Sequence, residues 1–378
     1  MAEVIYRGFC IIIDTIAKLM DKIRPGWSDR NSSRISEWKL MAYAYSRSAI
    51  GIVGGVLVSI FVIIGIIGPY IAFERYNEFP ASVNPDLYFL RPCIPPWCDP
   101  WSENLPLLGT DNWGRDILSL VLHGARISLV ISLIVVALGV PLGIILGLLA
   151  GYFGGAVDEV MMRITDVFIA FPALILAIAF ATVLPSRFRE VLYTNVFTRE
   201  FFLSLFALSK EEIPQLASLL AVIFALVLVW WPGYARIIRG SVLSVKEQAF
   251  VEAARSLGLS TWRVLFRHIL PNVLSPVIVM VTFDLGTATL LAAALSFLGI
   301  GPQDPVPELG FLVSKGREYF PDKWWIVMFP GIALFIIALG WNLLGDSLRD
   351  VLDPKTRRSL EFKVKGKKRR KFRSVKRK

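Results

Sequence analysis

The chain has 378 residues, 55% of them hydrophobic, and its mean hydropathy is +0.58. This composition is too apolar for a soluble domain of that length, so it excludes the soluble classes and predicts an all-α membrane protein. The formal net charge of +11 would suit nucleic-acid binding. The basic residues, however, are concentrated in segments that flank apolar runs, so we predict contact with membrane lipids and no binding of nucleic acid.

Each of six apolar runs approaches or exceeds the roughly 20 residues that a transmembrane helix needs. The runs are residues 50–73, 129–153, 167–184, 216–234, 273–299 and 326–344. Six spans place both termini on one side of the membrane. Lys and Arg gather in the first 48 residues, in a polar segment at 244–272 and after residue 348, and the positive-inside rule places these segments in the cytoplasm. We therefore predict a multi-pass protein of the cell membrane with both termini cytoplasmic.

Five segments of different composition follow one another along the chain. They are a cytoplasmic segment at 1–48, a first transmembrane helix at 49–73, an extracytoplasmic loop at 74–125, a transmembrane core at 126–346 and a cytoplasmic tail at 347–378. Residues 4–20 have the pattern of an amphipathic helix that lies on the inner leaflet. The basic end of the tail is too polar to fold alone, and we predict that it binds anionic lipid.

The three cysteines fall on the two sides of the predicted membrane. Cys93 and Cys98 lie in the outer loop, where an oxidising compartment would permit a disulfide. The loop that this bridge would close is short, and prolines already stiffen it, so the bridged and the free states both stay open. Cys10 lies in an apolar stretch on the inner side and is predicted to be a packed free thiol.

A polar motif ends the outer loop just before the second span. Asp111 or Asn112 is positioned to cap a short helix there, and Arg115 and Asp116 are of opposite charge and are predicted to pair. This arrangement predicts a folded lip at the outer surface. Direct contact with a substrate is the less favoured alternative.

Glycines recur at every fourth position through the second apolar run. They are Gly139, Gly143, Gly147, Gly151 and Gly155. Small residues at this spacing line one face of a helix and let a neighbouring backbone approach closely, which is a principal way in which helices associate in lipid. We therefore predict that this face packs against another helix.

The polar segment at 244–272 separates the fourth and fifth apolar runs, and its pattern predicts a hairpin of two short helices. Ser244 and Glu247 form a capping box, which predicts that the first helix starts at Val245. Gly258 would end that helix in a left-handed turn. Ser260 would cap the second helix, and Pro271 would end it.

Apolar residues at helical spacing give each predicted hairpin helix one apolar face. These residues are Phe250, Ala253, Ala254 and Leu257 in the first helix, and Trp262, Leu265, Phe266 and Ile269 in the second. The residues alone leave two interpretations open. The hairpin is either a docking surface or an ordinary cytoplasmic connection that lies on the bilayer surface.

Asp284 is the one carboxylate deep within an apolar run. A charged side chain in lipid costs at least about 3 kcal/mol even on the mildest insertion scale. The position should therefore face protein or a watery path. Lining of a pore is favoured over a buried hydrogen bond.

Several motifs resemble the membrane subunits of ABC importers. Glu252, Ala253 and Ala254, then Gly258, then Leu270 and Pro271, match in type and spacing the EAA loop of that family. The sequences GTDNWGRDILS, DVFIAFP, WPGYAR and LSFLGIG resemble, more specifically, the C-type permease of dipeptide, oligopeptide and nickel importers. The resemblance covers about residues 40–358. It fails at 186–212, where the family has a short connection; residues 201–208 are predicted to form either a lid helix or part of a lengthened loop.

The resemblance implies an ABC type I importer permease fold with six transmembrane helices and a cytoplasmic coupling hairpin. It also implies four kinds of partner: a homologous B-type permease, two ATPase subunits that seat the hairpins, an extracytoplasmic solute-binding protein and membrane lipids. The implied cargo is a dipeptide or oligopeptide, with an oligosaccharide or nickel as the alternative.

Catalysis by this chain is not expected. It lacks the G-x-x-x-x-G-K-[ST] phosphate loop, so ATP and Mg²⁺ are predicted to bind to the partner ATPases. An intramembrane enzyme would need a nucleophile and a base within the bilayer, yet His123 and His268 both fall outside the predicted spans, and there is no G-x-S-x-G sequence. No metal-ligand spacing is present, and a purely structural scaffold would not explain the hairpin.

Overall fold

The computed structural model describes residues 2–73, 76–93 and 106–352, and within these ranges the chain is helical, without a β-strand. The chain forms two units, one of residues 1–58 with 340–378 and one of residues 59–339. The predicted all-α fold is confirmed. The predictions for Cys98 and for the basic end of the tail lie outside the described residues.

Sixteen α-helices are distinguished in the described ranges, with a π-helical segment, Val264–Ile269, between α12 and α13. They are α1 (Ala2–Ile23), α2 (Trp27–Arg30), α3 (Ser32–Tyr45), α4 (Ala49–Ile71), α5 (Ile117–Phe153), α6 (Gly155–Ala170), α7 (Ala173–Val183), α8 (Pro185–Thr194), α9 (Val196–Phe206), α10 (Ile213–Val245), α11 (Ala249–Ser256), α12 (Thr261–Arg263), α13 (Leu270–Val273), α14 (Ser275–Phe297), α15 (Leu309–Gly316) and α16 (Trp325–Leu352).

Five of these helices, α4, α5, α10, α14 and α16, are long and apolar enough to cross a membrane. The predicted third span is not one straight helix, because α6 and α7 meet at an angle of 91° and make a sixth span only if they are counted together. The break falls at Phe171 and Pro172, whose backbones are extended with ψ of 137° and 124°. Proline disfavours a helical conformation of the residue before it, which explains the end of α6.

The second span begins earlier than its apolar run indicates. Asp116 caps α5, and its carboxylate accepts a hydrogen bond of 2.7 Å from the backbone N–H of Ser119. The predicted caps, Asp111 and Asn112, are therefore wrong, and α5 starts at Ile117, before the end of the segment predicted to be a loop. His123 lies inside α5 and is buried, whereas the sequence placed it outside the spans.

The segment that departs from the family pattern forms two packed helices, α8 and α9, and not a long loop. Leu192, Leu203 and Phe206 are buried in the same core as α5 and α10. The guanidinium of Arg126 donates to the carbonyls of Ser204 and Leu205 at 3.2 and 3.1 Å. These carbonyls belong to the last turn of α9, where a cation offsets the negative end of the helix dipole.

The first unit contains the predicted amphipathic helix, which extends over Ala2–Ile23 as α1. One side of α1 packs on α3, where the rings of Tyr6 and Tyr43 meet edge to face at 5.5 Å and Lys39 pairs with Asp14 at 2.7 Å. Apolar side chains on its other side, such as Ile11, are exposed. That distribution is what an in-plane helix of the inner leaflet requires.

Candidate functional site

The hairpin predicted at 244–272 is present, but its first helix starts later than predicted. The fourth spanning helix, α10, continues to Val245, so Ser244 and Glu247 form no capping box and the predicted start at Val245 is wrong. The hairpin helix α11 begins at Ala249, with Gln248 as its N-cap residue. A strongly helical span thus overrides a local capping signal.

Gly258 makes the turn between the two arms of the hairpin. Its φ is +71°, in the left-handed region, and no atom lies within 4 Å of where a Cβ would be. The N–H of Gly258 donates to the carbonyl of Arg255 at 2.9 Å, and that of Leu259 donates to the carbonyl of Ala254 at 3.3 Å. This pair of bonds is the Schellman motif, which commonly ends a helix at glycine.

The second arm runs from Thr261 through the π-helical segment into α13. Ser260 makes no side-chain capping bond; its carbonyl accepts from the N–H of Val264 at 3.0 Å. Pro271 does not end the arm, because it lies in the first turn of α13, where its missing N–H removes no helical hydrogen bond. Ser260 is the N-cap residue of α12, as predicted, whereas the prediction that Pro271 ends the second helix is wrong.

The apolar residues of the hairpin are divided between a buried set and an exposed set. The buried set is Val251, Ala254, Val264, Leu265 and Ile269. The exposed set, which we call the hairpin apolar surface, is Phe250, Leu257, Trp262 and Phe266. Leu257 is 81% exposed and Trp262 is 58% exposed. Of the eight residues assigned to the two apolar faces, three are buried, namely Ala254, Leu265 and Ile269, and the other five, which include Ala253, are exposed.

The hairpin apolar surface has the properties of an interaction surface. The rings of Trp262 and Phe266 stack with their centroids 5.9 Å apart. The arginines beside them, Arg255, Arg263 and Arg267, are also exposed. Contiguous exposed apolar side chains rimmed by charge are typical of a protein or membrane contact.

The residues that carry the EAA resemblance are distributed over both sides of the hairpin. Glu252, Ala253 and Pro271 are exposed, Leu270 is half-buried, and Ala254 is buried against the rest of the unit. Ala254 therefore helps to seat the hairpin on its own chain. The other residues remain available to a partner.

Polar contacts join the hairpin and the inner end of α10 to neighbouring helices. The guanidinium of Arg255 lies 5.0 Å from the centre of the Tyr152 ring at the end of α5, a cation–π contact. The Lys246 ammonium donates to the carbonyl of Gly151 at 3.0 Å. Arg239 of α10 makes a two-pronged ion pair with Asp158 of α6, with N–O distances of 2.5 and 2.6 Å. A displacement of the hairpin would therefore act on α5 and α10 directly.

The glycine face of α5 lies against α10. A Cβ at Gly143 would come within 2.4 Å of the Trp231 carbonyl oxygen, and one at Gly147 within 2.4 Å of the Ala235 carbonyl oxygen. Gly139 and Gly151 are similarly close to Trp230 and Val242. Gly155 does not take part: it lies beyond α5 with φ of +52° and open space around it, so its assignment to this face is wrong.

Asp284 of α14 is half-buried and hydrogen-bonded by two aromatic side chains of α10. Its Oδ2 atom accepts from Trp230 Nε1 at 2.7 Å and from the Tyr234 hydroxyl at 2.6 Å. These two hydrogen-bond donors were not predicted from the sequence. The spacing of four residues between them was the available signal, because it places both on one helix face.

The polar lip at the outer end has different partners from those predicted. Arg115 does not pair with Asp116, which caps α5; its guanidinium pairs with Asp111 at 2.7 Å and with Asp304 at 2.8 Å. Lys315 also pairs with Asp304, at 2.8 Å. Burial lowers the pKa of Lys315, and the nearby Arg115 charge acts in the same direction. The network connects the outer loop to the segment before α15.

Cys93 is buried and disulfide-bonded, and Cys10 is a half-buried free thiol. Because Cys98 lies outside the described residues, the pairing of Cys93 with Cys98 stays a prediction.

Comparison with known proteins identifies the family. The family model described as "Binding-protein-dependent transport system inner membrane component" matches residues 139–358, which is more than half of the chain. The dipeptide transport system permease protein DppC of Alkalihalophilus pseudofirmus is 34% identical over 85% of this chain and 91% of its own length. The glutathione transport system permease protein GsiD of Pectobacterium atrosepticum is 32% identical over 86% of this chain and 94% of its own length.

A further relative, GsiD of Escherichia coli, is 40% identical over 65% of this chain and 71% of its own length. These matches agree with the apolar helices and with the hairpin between α10 and α14, and the resemblance is thereby confirmed. The chain belongs to the family of inner membrane components of binding-protein-dependent transport systems.

Proposed function

We propose that this chain is the C-type permease subunit of an ABC importer and that it forms a translocation pore for peptides with a homologous B-type permease. The observation that carries the proposal is the hairpin apolar surface, an exposed aromatic and apolar patch between two spanning helices. The relatives DppC and GsiD are dipeptide and glutathione transport permeases, which supports a peptide as the cargo.

The energy source would be ATP hydrolysed on two partner subunits, which would bind ATP and Mg²⁺ themselves. The hairpin apolar surface would seat on one ATPase, so that closure of the ATPases pulls on α5 and α10. An extracytoplasmic solute-binding protein would deliver the peptide to the opposite side. An oligosaccharide or nickel ion is the alternative cargo for the same machinery.

The orientation can be tested with the native thiol of α1. Intact cells treated with a membrane-impermeant maleimide should leave Cys10 unlabelled, and permeabilised cells should label it, because both termini are proposed to be cytoplasmic. A variant with Val83→Cys is the control, since Val83 is 89% exposed in the outer loop. That position should label in intact cells. Labelling of Cys10 but not of position 83 would reverse the orientation.

The function can be tested with the complex that copurifies with this chain. Two ATPase subunits should copurify. Proteoliposomes should take up labelled dipeptide only when ATP is enclosed in the lumen, on the side of the ATPases, and the binding protein is added outside. A complex with an inactivated ATPase phosphate loop is the control. ATP-driven uptake of nickel or an oligosaccharide without peptide uptake would replace the proposed cargo. Absence of any copurifying ATPase would refute the proposal.

A further inference from the structure

Asp284 lies near the middle of a spanning helix without a counter-charge. Both groups that bond it, the Trp230 indole and the Tyr234 hydroxyl, are neutral. None of the ion pairs found among residues 2–73, 76–93 and 106–352 includes Asp284. An ionised carboxylate at this depth is costly unless a positive charge compensates it.

Several other charges in the spanning helices are compensated. Arg236 and Arg239 of α10 pair with Asp166 and Asp158 of α6. Arg126 of α5 donates to backbone carbonyls at the end of α9. The structure therefore supplies partners for the cations of these helices, while the carboxylate of α14 receives neutral donors only.

The geometry leaves one side of Asp284 available. Both hydrogen bonds end on Oδ2, so this oxygen is fixed and Oδ1 accepts none of the hydrogen bonds between described residues. The side chain is half-buried, and Thr287, one turn further along α14, is exposed. The half-buried Trp230 ring lies beside it. A carboxylate next to an aromatic ring is an arrangement that suits an ammonium or guanidinium group.

We propose that Asp284 binds a positively charged side chain of the transported solute, so that the pathway favours solutes with a cationic side chain. This proposal rests on the proposed function, because it assumes that α14 borders the translocation path. Asp284 is the specificity-determining residue. Trp230 and Tyr234 are positioning residues, because they hold Oδ2 of the carboxylate in place and leave Oδ1 free to bind the solute.

The test compares two dipeptides of opposite side-chain charge, Lys-Ala and Glu-Ala, in proteoliposomes with saturating binding protein. Asp284→Asn keeps the shape and the acceptor for Trp230 and Tyr234 but removes the charge. We expect it to lower the Lys-Ala to Glu-Ala uptake ratio at least about tenfold, which is the lower end of what a hydrogen bond to a charged group contributes. Asp284→Glu keeps the charge and should keep the ratio on the side of Lys-Ala.

A purely structural or gating role predicts a different result. Asp284→Asn would then change both uptake rates equally or not at all, and an unchanged ratio would overturn the proposal. Tyr234→Phe removes one positioning bond and should shift the ratio in the same direction by less. The yield of assembled complex of each variant shows whether the substitution has disturbed folding rather than the uptake ratio.

A second measurement separates this proposal from the proposed function. Dicyclohexylcarbodiimide modifies carboxyl groups in apolar surroundings, and mass spectrometry of the α14 peptide reads the adduct on Asp284. Spermidine, a small polycation, should slow this reaction, and glutarate should not. If the wild-type complex takes up neither dipeptide, the proposed peptide transport is wrong. The protection experiment still shows whether Asp284 binds a cation. Equal modification with spermidine and glutarate would overturn the cation site.

Discussion

Replacing Gly147 with Leu should remove most of the folded chain from the membrane. A Cβ at this position would lie 2.4 Å from the Ala235 carbonyl oxygen and 3.0 Å from the Ile238 Cβ, so α5 and α10 would have to separate. Overpacking of a tight contact costs about 1–3 kcal/mol or more. The loss should be larger here, because the whole glycine face opens. Size-exclusion chromatography and a thermal melt of the solubilised complex measure the effect.

The matched control is Gly240→Leu in the partner helix α10. No atom lies within 4 Å of the place where a Cβ of Gly240 would be, and its φ is not in the left-handed region. This variant should assemble and melt like the wild type. If Gly147→Leu behaves like Gly240→Leu, close contact between α5 and α10 is not what holds this part of the protein together.

Replacing Gly258 with Val should abolish ATP-driven transport while the complex still assembles. The left-handed φ of +71° is strained for any residue with a side chain and most of all for a β-branched one. The turn would open, and α11 would tilt relative to α12. The hairpin apolar surface contains residues from both arms, so a tilt separates Leu257 from Trp262. We expect transport and transport-linked ATP hydrolysis to fall at least about tenfold, the effect of roughly 1.4 kcal/mol.

The control at the same position is Gly258→Asn, because asparagine tolerates the left-handed conformation better than other residues with side chains. Open space surrounds Gly258, so neither substitution creates a clash within the chain. Asn should preserve most of the transport rate, and binding of solute to the external protein should be normal in both variants. A Val variant that transports at the wild-type rate would show that the hairpin does not couple ATP to transport.

The spanning helices could be predicted because the bilayer requires long apolar runs, but their ends could not. The fourth run was assigned to 216–234, whereas α10 continues to Val245. The apolar run ends just before Arg236 and Arg239. They pair with acidic residues of α6 and continue the helix, and such pairing between distant segments is not visible in the sequence.

The break in the third span was likewise not predictable from its proline. Pro141, Pro232 and Pro330 all lie inside continuous helices, where neighbouring helices accommodate them. Pro172 instead separates two helices. The same residue type therefore gives opposite outcomes, and tertiary packing selects between them.

The position of the hairpin could be predicted from the EAA motif, and its turn from Gly258. The sequence did not predict which faces of its helices are exposed. Periodicity identifies which residues share a face and cannot tell whether the chain itself or a partner covers it. Val251 and Ala254 are covered by the chain, whereas Phe250 and Leu257 are not. Periodicity alone therefore could not predict which of these residues are exposed.

The close packing of α5 on α10 has a mechanical consequence. Close contacts at four glycines of α5 join the two helices into one rigid rod. Tyr152 and Gly151 contact the hairpin segment at one end of this rod. The rod is long, since the 37 residues of α5 span about 55 Å at 1.5 Å per residue. If it pivots at one end, a tilt of about 5° carries the far end through about 5 Å, roughly the rise of one helical turn. A small displacement at the hairpin would thereby be amplified into a large one at the opposite end of the two helices, without refolding of either helix.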